Sequence, residues 1–134
     1  MNWLLDTNAI SELTKLEPAS SLLDWLETNE LQTAISAISI GEMVAGLEEM
    51  PEGKRRRSLE RTLKFLREDY AGKILDFTEG VAVEWGRLLA TGKKLGRKLP
   101  IVDSQIEATA IHFGLMVVTR NEKDFFHPVF NPWK

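Results

Sequence analysis

"LPIVDSQIEATAIHFGLMVVTRNEKDF" (residues 99–125) sets the class of the fold. Pro100 suits the first turn of a helix, because it lacks the N–H that this turn leaves unpaired and its φ is already helical. The helical run continues to Phe113 and stops at Gly114, a residue that accepts the left-handed conformation closing many helices. "LMVVT" (115–119) then reads as a short buried strand, and "RNEKDF" turns away from it.

The same alternation extends outward. "NWLLD" (2–6) reads as a short buried strand, followed by a helix from Asn8 to Lys15 that breaks near Pro18. Ser20 or Ser21 starts a second helix with Leu22, Leu23, Trp25 and Leu26 on its apolar side, and "QTAIS" (32–36) is a strand candidate. From Ser36 to Met50, Ile40, Met43, Val44 and Leu47 recur at helical spacing until Pro51 ends the run. Gly53 to Tyr70 reads as a long amphipathic helix, with Leu59, Leu63 and Leu66 buried and its Arg and Lys residues in water. "KILDF" (73–77) is a third strand, and Thr78 caps a helix carrying Val81, Val83, Trp85, Leu88 and Leu89 inward. "GKKLGRK" (92–98) reads as a flexible loop, and "PVFNPW" (128–133) as a short fifth strand or an extended tail. Helices alternating with short strands predict an α/β class with a mainly parallel sheet.

A chain of 134 residues suits one domain with one core, here residues 1–134. Its 43% hydrophobic and 28% charged content is that of a soluble globular protein. The absence of cysteine excludes a disulfide framework and a thiolate zinc site. The two histidines, His112 and His127, stand too far apart in sequence for a His-rich metal motif. No apolar run reaches membrane-spanning length and no signal core follows a basic start, so a soluble, cytoplasmic protein is expected. The net charge of −3 argues mildly against nucleic-acid binding, but its distribution matters more. Basic residues gather in "GKRRRSLERTLKFLR" (53–67) and in 92–98, so a cation site and a polyanion surface can coexist.

The carboxylates are the second signal. Asp6 follows the first strand directly, and Asn121 and Asp124 follow the fourth through Thr119 and Arg120. In a parallel sheet, chemistry gathers beyond these carboxyl ends. Glu42 shares a polar strip with Ser36 and Ser39 on a mostly apolar helix, and Asp103 sits in the first turn of another, one turn before Glu107. Taken singly, each has a plain structural reading. Asp6 can cap a helix, Glu42 can mark a solvent boundary, Asp103 can answer the helix dipole, and Asp124 can hold a turn. Their coincidence beside apolar strand ends and in apolar helices is what those readings leave unexplained. Acids forced together raise one another's pKa unless a cation neutralises them. Oxygen ligands without His or Cys suit Mg²⁺ or Mn²⁺. Two such ions, about 3.5–4 Å apart, can activate water and stabilise the leaving oxygen of a phosphodiester. Thr7, Asn8 and Thr119 are placed to orient water or phosphate, and the basic tracts to hold a polyanion.

"LLDTNAISEL" (4–13), "SAISIGEMVAGL" (36–47), residues 99–125 and the closing "NPW" together resemble the PIN-domain ribonucleases, specifically the VapC/FitB-like toxins of bacterial toxin–antitoxin pairs. The resemblance covers nearly the whole chain. It implies an α/β/α sandwich with a mainly parallel sheet of about five strands. It implies that Asp6, Glu42 and Asp103 are metal-binding carboxylates, with Asn121 or Asp124 in the fourth position. Family members often carry Asp where Asn121 stands, and a small residue where Glu107 stands, so Glu107 could add a carboxylate to the cleft. The resemblance further implies an RNA substrate, Mg²⁺ or Mn²⁺, a cognate antitoxin, and a homodimer or toxin–antitoxin hetero-oligomer that meets DNA only through the antitoxin. The exposed face of 53–67 and the second helix are candidate contact surfaces.

Two other readings stand beside it. A receiver-like phosphoacceptor domain would use Asp76 in "KILDF", but wants paired acids at the first strand, where Asp6 stands with Thr7 and Asn8. A binding module that keeps the PIN fold without activity is the other, and the neutral Asn121 favours it.

Overall fold

The computed structural model describes residues 1–134. β1 (Trp3–Leu5) lies between β2 (Thr33–Ser36) and β4 (Met116–Val118), and β3 (Ile74–Leu75) pairs with the outer side of β2. All three pairings are parallel, giving one four-stranded sheet of order β3-β2-β1-β4. Parallel neighbours need long crossovers, and helices supply them. α1 (Thr7–Leu13) and α2 (Ser20–Asn29) join β1 to β2, while α3 (Ala37–Glu48) and α4 (Lys54–Asp69) join β2 to β3. α5 (Glu79–Lys94) and α6 (Ile101–Phe113) carry the chain back to β4.

Successive strand residues point to opposite faces, and both faces are covered. Leu5, Ile35 and Val118 pack with Ile10, Leu22, Met43, Leu47, Leu63 and Leu66 from α1 to α4. Leu4, Ala34 and Val117 face the other way, against Ile106 and Ala110 of α6 and Phe125. Thus a run as short as "WLL" serves two cores, which explains why it is apolar without alternating.

The local signals predicted from sequence are in place. Asp6, Ser36 and Thr78 cap α1, α3 and α5 through side-chain oxygens that accept from Ala9, Ile38 and Val81. Gly114 closes α6 at φ 69°, in the left-handed region. Three expectations are corrected. The fifth strand is a single bridge from Val118 to Phe130, because Pro128 and Pro132 lack the N–H that a longer ladder would use. The loop 92–98 is not free: its first three residues finish α5, and Arg97 donates to the carbonyls of Lys123 and Phe125 at 3.1 and 3.2 Å. The third strand is also shorter than "KILDF", since it pairs only on one side.

Candidate active site at the carboxyl edge of the sheet

The chain steps from β1 to β2 to β3 on one side, then returns to β4 on the other side of β1. Such a switch in strand order opens a crevice beyond the strand ends. Asp6 leaves β1 at this point and is fully buried. Its Oδ1 accepts from the backbone N–H of Ala9 at 2.7 Å, and its Oδ2 accepts from the Thr119 hydroxyl at 2.5 Å. One carboxylate therefore caps α1 and ties the end of β1 to the end of β4. Burial pushes the Asp6 carboxyl above the usual carboxylate range; the Thr119 and Ala9 hydrogen bonds pull it down, and the charges of Glu42 and Asp124 push it up again.

The helices bring the other acids to the same crevice. Glu42 is exposed on α3, one turn beyond Ser39. Ser39 is buried and shares a 2.9 Å hydrogen bond with Thr7, locking the start of α3 to the start of α1. Asp103 is half-buried in the first turn of α6. Burial pushes its carboxyl up to about 6, and the charges of Asp124, Asp6, Glu42 and Glu107 add to the effect in that order. Asp6, Glu42, Asp103 and Asp124 thus act on one another electrostatically across three elements and a turn.

Asn121 and Asp124 flank a short 3-10 turn, Glu122–Asp124. The Asn121 N–H donates to the Thr119 hydroxyl oxygen at 2.9 Å, which makes Thr119 a relay between Asp6 and this turn. Asp124, half-buried, is the charge felt by both Asp6 and Asp103; Asn121 brings none. Asn8 is exposed on α1. Glu107 is buried on α6, and its oxygens are taken by the N–H groups of Phe126 and His127 and by the His127 ring. Asp76 is exposed beyond the edge strand β3, with β2 between that strand and β1, away from the acidic cleft.

The donor set is oxygen only, which fits a hard divalent cation. No three Asp, Glu or His side chains converge closely enough to enclose an ion by themselves. That matches Mg²⁺, which keeps several waters and takes only one or two carboxylates directly. Burial and like charge together lift Asp6 and Asp103, and a cation would offset both.

Two grooves lie nearby. One of about 470 Å³ is lined by Leu89, Lys93, Arg97, Lys98, Leu99 and Ile101, and so opens beside the first turn of α6. A larger one, about 1190 Å³, runs between α1, α3 and the start of α4. Met43, Leu47, Met50 and Leu59 contribute its apolar lining, and Lys15, Lys54 and Arg55 add cations. No helix is long and apolar enough to cross a membrane.

The anchoring by Arg97 and the Trp85 indole N–H bond to Ser104 (2.9 Å) were not legible in sequence. Both join residues 19 or more positions apart with no motif between them.

Comparison with known proteins agrees with this geometry. Residues 3–129 match the model of the PIN domain. The chain is 36% identical to the VapC ribonuclease Y4jK of Sinorhizobium fredii, over 98% of this chain and 97% of that protein. It is 36% identical to the toxin FitB of Neisseria gonorrhoeae, over 97% of each. The solved structure of FitAB bound to an IR36 DNA fragment superposes with a TM-score of 0.89 at 35% identity, covering 98% of this chain and 96% of that one. A match over nearly the whole chain, on a fold that gathers these acids at one sheet edge, leads to one conclusion: the chain belongs to the PIN-domain family, among its VapC/FitB toxins.

Proposed function

We propose that the chain is a divalent-metal-dependent endoribonuclease that acts as the toxin of a bacterial toxin–antitoxin pair. The observation that carries this reading is the gathering of Asp6, Glu42, Asp103 and Asp124 at the β1/β4 switch, where burial first, and the neighbouring carboxylate charges after it, raise the Asp103 carboxyl to about 6. These four carboxylates would surround Mg²⁺ or Mn²⁺, one or two of them directly and the others through its water shell, with Asp124 in the fourth position because it supplies the charge that Asn121 lacks. When bound, the ion supplies Lewis acidity to the phosphodiester and acidifies the attacking water. Asp6 is fixed in orientation by Ala9 and Thr119. Thr7 and Ser39 set the α1–α3 spacing on which the distance from Asp6 to Glu42 depends. Lys93 and Lys98 line the groove beside Asp103 and would hold the RNA backbone. Hydrolysis adds water across one P–O bond and leaves a phosphate monoester and a hydroxyl at the two new ends.

The name of FitB and the FitAB–DNA structure support a protein partner that connects the chain to DNA. The groove between α1, α3 and α4, continuous with the basic face of 53–67, is the surface we assign to that antitoxin.

The experiment is incubation of the purified chain with total RNA and Mg²⁺ or Mn²⁺, alongside Asp6→Ala and an EDTA control. Cleavage is expected only in the untreated wild type. Cleavage that survives either control would overturn the metal-nuclease reading. The neutral Asn121 favours a second reading, a PIN-fold binding module; folded protein that cleaves under no condition would establish it.

A further inference from the structure

Asp124 reaches the cleft on a segment that does little to hold itself. Within 122–127 the local backbone bonds are those from the Asp124 N–H to Asn121 and from the Phe125 N–H to Glu122. Glu122 also accepts from Asn131 Nδ2 at 3.1 Å and pairs with Lys134 at 2.6 Å, but the ties that flank Asp124 itself come from far away in sequence. The Arg97 Nη2 donates to the carbonyls of Lys123 and Phe125, the two residues on either side of Asp124. Its guanidinium also lies 5.3 Å from the centre of the Phe126 ring. From the other side, Glu107 Oε1 accepts from the Phe126 N–H at 2.8 Å, and Oε2 accepts from the His127 N–H at 2.7 Å. The His127 Nδ1 shares Oε2 at 2.7 Å.

A carboxylate in the apolar middle of α6 is costly unless its oxygens are satisfied. Glu107 is only 3% exposed, and its charge adds to the repulsion on Asp103 one turn away. The fold accepts that repulsion and satisfies Glu107 with donors from the Asp124 segment.

We propose that Glu107 and Arg97 are positioning residues: together they clamp 122–127 and hold Asp124 against Asp6 and Asp103. Arg97 holds the carbonyls of the residues before and after Asp124, and Glu107 fixes the backbone of Phe126 and His127. Neither side chain holds the ion or touches RNA. The loop 95–100 thereby becomes part of the site's frame. The inference rests on the reading of the cleft as a metal nuclease.

The test compares wild type with Glu107→Ala, Glu107→Gln, Arg97→Ala and Leu63→Ala, the last a core truncation on the opposite face of the sheet. Mn²⁺ affinity is read by titration calorimetry, cleavage as a function of Mn²⁺, and amide exchange at Phe126 and His127 by hydrogen–deuterium exchange. Glu107→Ala and Arg97→Ala should weaken Mn²⁺ binding by roughly 10–100-fold, the range for residues that orient metal ligands. Saturating Mn²⁺ should restore most of their cleavage rate. Glu107→Gln keeps an acceptor for Phe126 and should fall between. Leu63→Ala should lower thermal stability without changing the Mn²⁺ requirement. A folded Glu107→Ala with wild-type Mn²⁺ affinity would overturn the proposal, as would an equal change in Leu63→Ala. If Glu107→Ala does not fold, Arg97→Ala and Glu107→Gln decide by the same readout. Wild type that neither binds Mn²⁺ nor cleaves RNA overturns the nuclease reading and this inference with it; active wild type with unaltered variants overturns this inference alone.

Discussion

Asp103→Asn should stabilise the metal-free protein, by an amount that grows as pH rises from about 4 and is complete above about 6. The Asp103 carboxyl sits at about 6 in the fold against 3.8 in an unstrained reference. A pKa raised by folding means that the folded state binds its proton more tightly than the unfolded state does. Stability is then highest below about 3.8 and declines as pH rises through about 6. At about 1.4 kcal/mol per pH unit, the displacement from 3.8 to about 6 sets a ceiling of about 3 kcal/mol. Asp103 is only half-buried, so solvent screening reduces this to about 1 kcal/mol. Asn resembles the protonated acid and escapes the penalty. The expected gain is about 1 kcal/mol at pH 8, or roughly 3–5 °C in Tm for a chain of this size, falling to nothing near pH 4. Thermal unfolding followed by circular dichroism in EDTA at both pH values measures it. Adding Mg²⁺ at pH 8 should then raise the Tm of wild type more than that of Asp103→Asn. A gain that is absent at pH 8, or equal at pH 4 and pH 8, would refute the reasoning, because the cost of ionising Asp103 where it is buried among like charges would not be its source.

Asp6→Asn should keep the α1 cap, since Asn caps as well as Asp, yet reduce RNA cleavage to the EDTA background; urea unfolding beside a cleavage assay separates the two roles. Thr119→Val removes the donor to Asp6 Oδ2 and should cost about 1–3 kcal/mol at pH 8, with the loss shrinking as acid protonates Asp6, because the bond favours the ionised carboxylate. Leu63→Ala empties space in the core between the sheet and α4 and should cost about 2–5 kcal/mol in urea unfolding.

Much of the fold was readable because its signals are local. Pro100 and Gly114 bracket α6, and Thr78 and Ser36 start α5 and α3, each by satisfying or lacking a backbone group within a few residues. The class followed from alternating helices and apolar runs. Of the two readings of 128–133, the extended tail holds apart from one bridge: "PVF" is apolar enough for a strand, but the ladder is limited by the missing N–H groups of Pro128 and Pro132. The loop 92–98 was misread as mobile for a different reason: Gly and Lys composition reports local freedom, while Arg97 is held by carbonyls 26 and 28 residues away.

The candidate site divides along the same line. Sequence alone determined that Asp6 ends a strand and caps a helix, that Glu42 and Asp103 lie on helices, and that oxygen ligands would suit a hard cation. Each of these follows from chemistry within one turn of chain. Only the tertiary structure decided which acids share a cleft, because that depends on strand order and on a Thr119–Asp6 bond spanning 113 residues. It also sets neighbours in different surroundings. Asp124 contributes charge to the cleft where Asn121 does not, and Glu107, one turn from Asp103, bonds the 126–127 backbone. The physical reason is that a carboxylate's role is set by the donors and charges around its oxygens, and in this fold those arrive from distant segments.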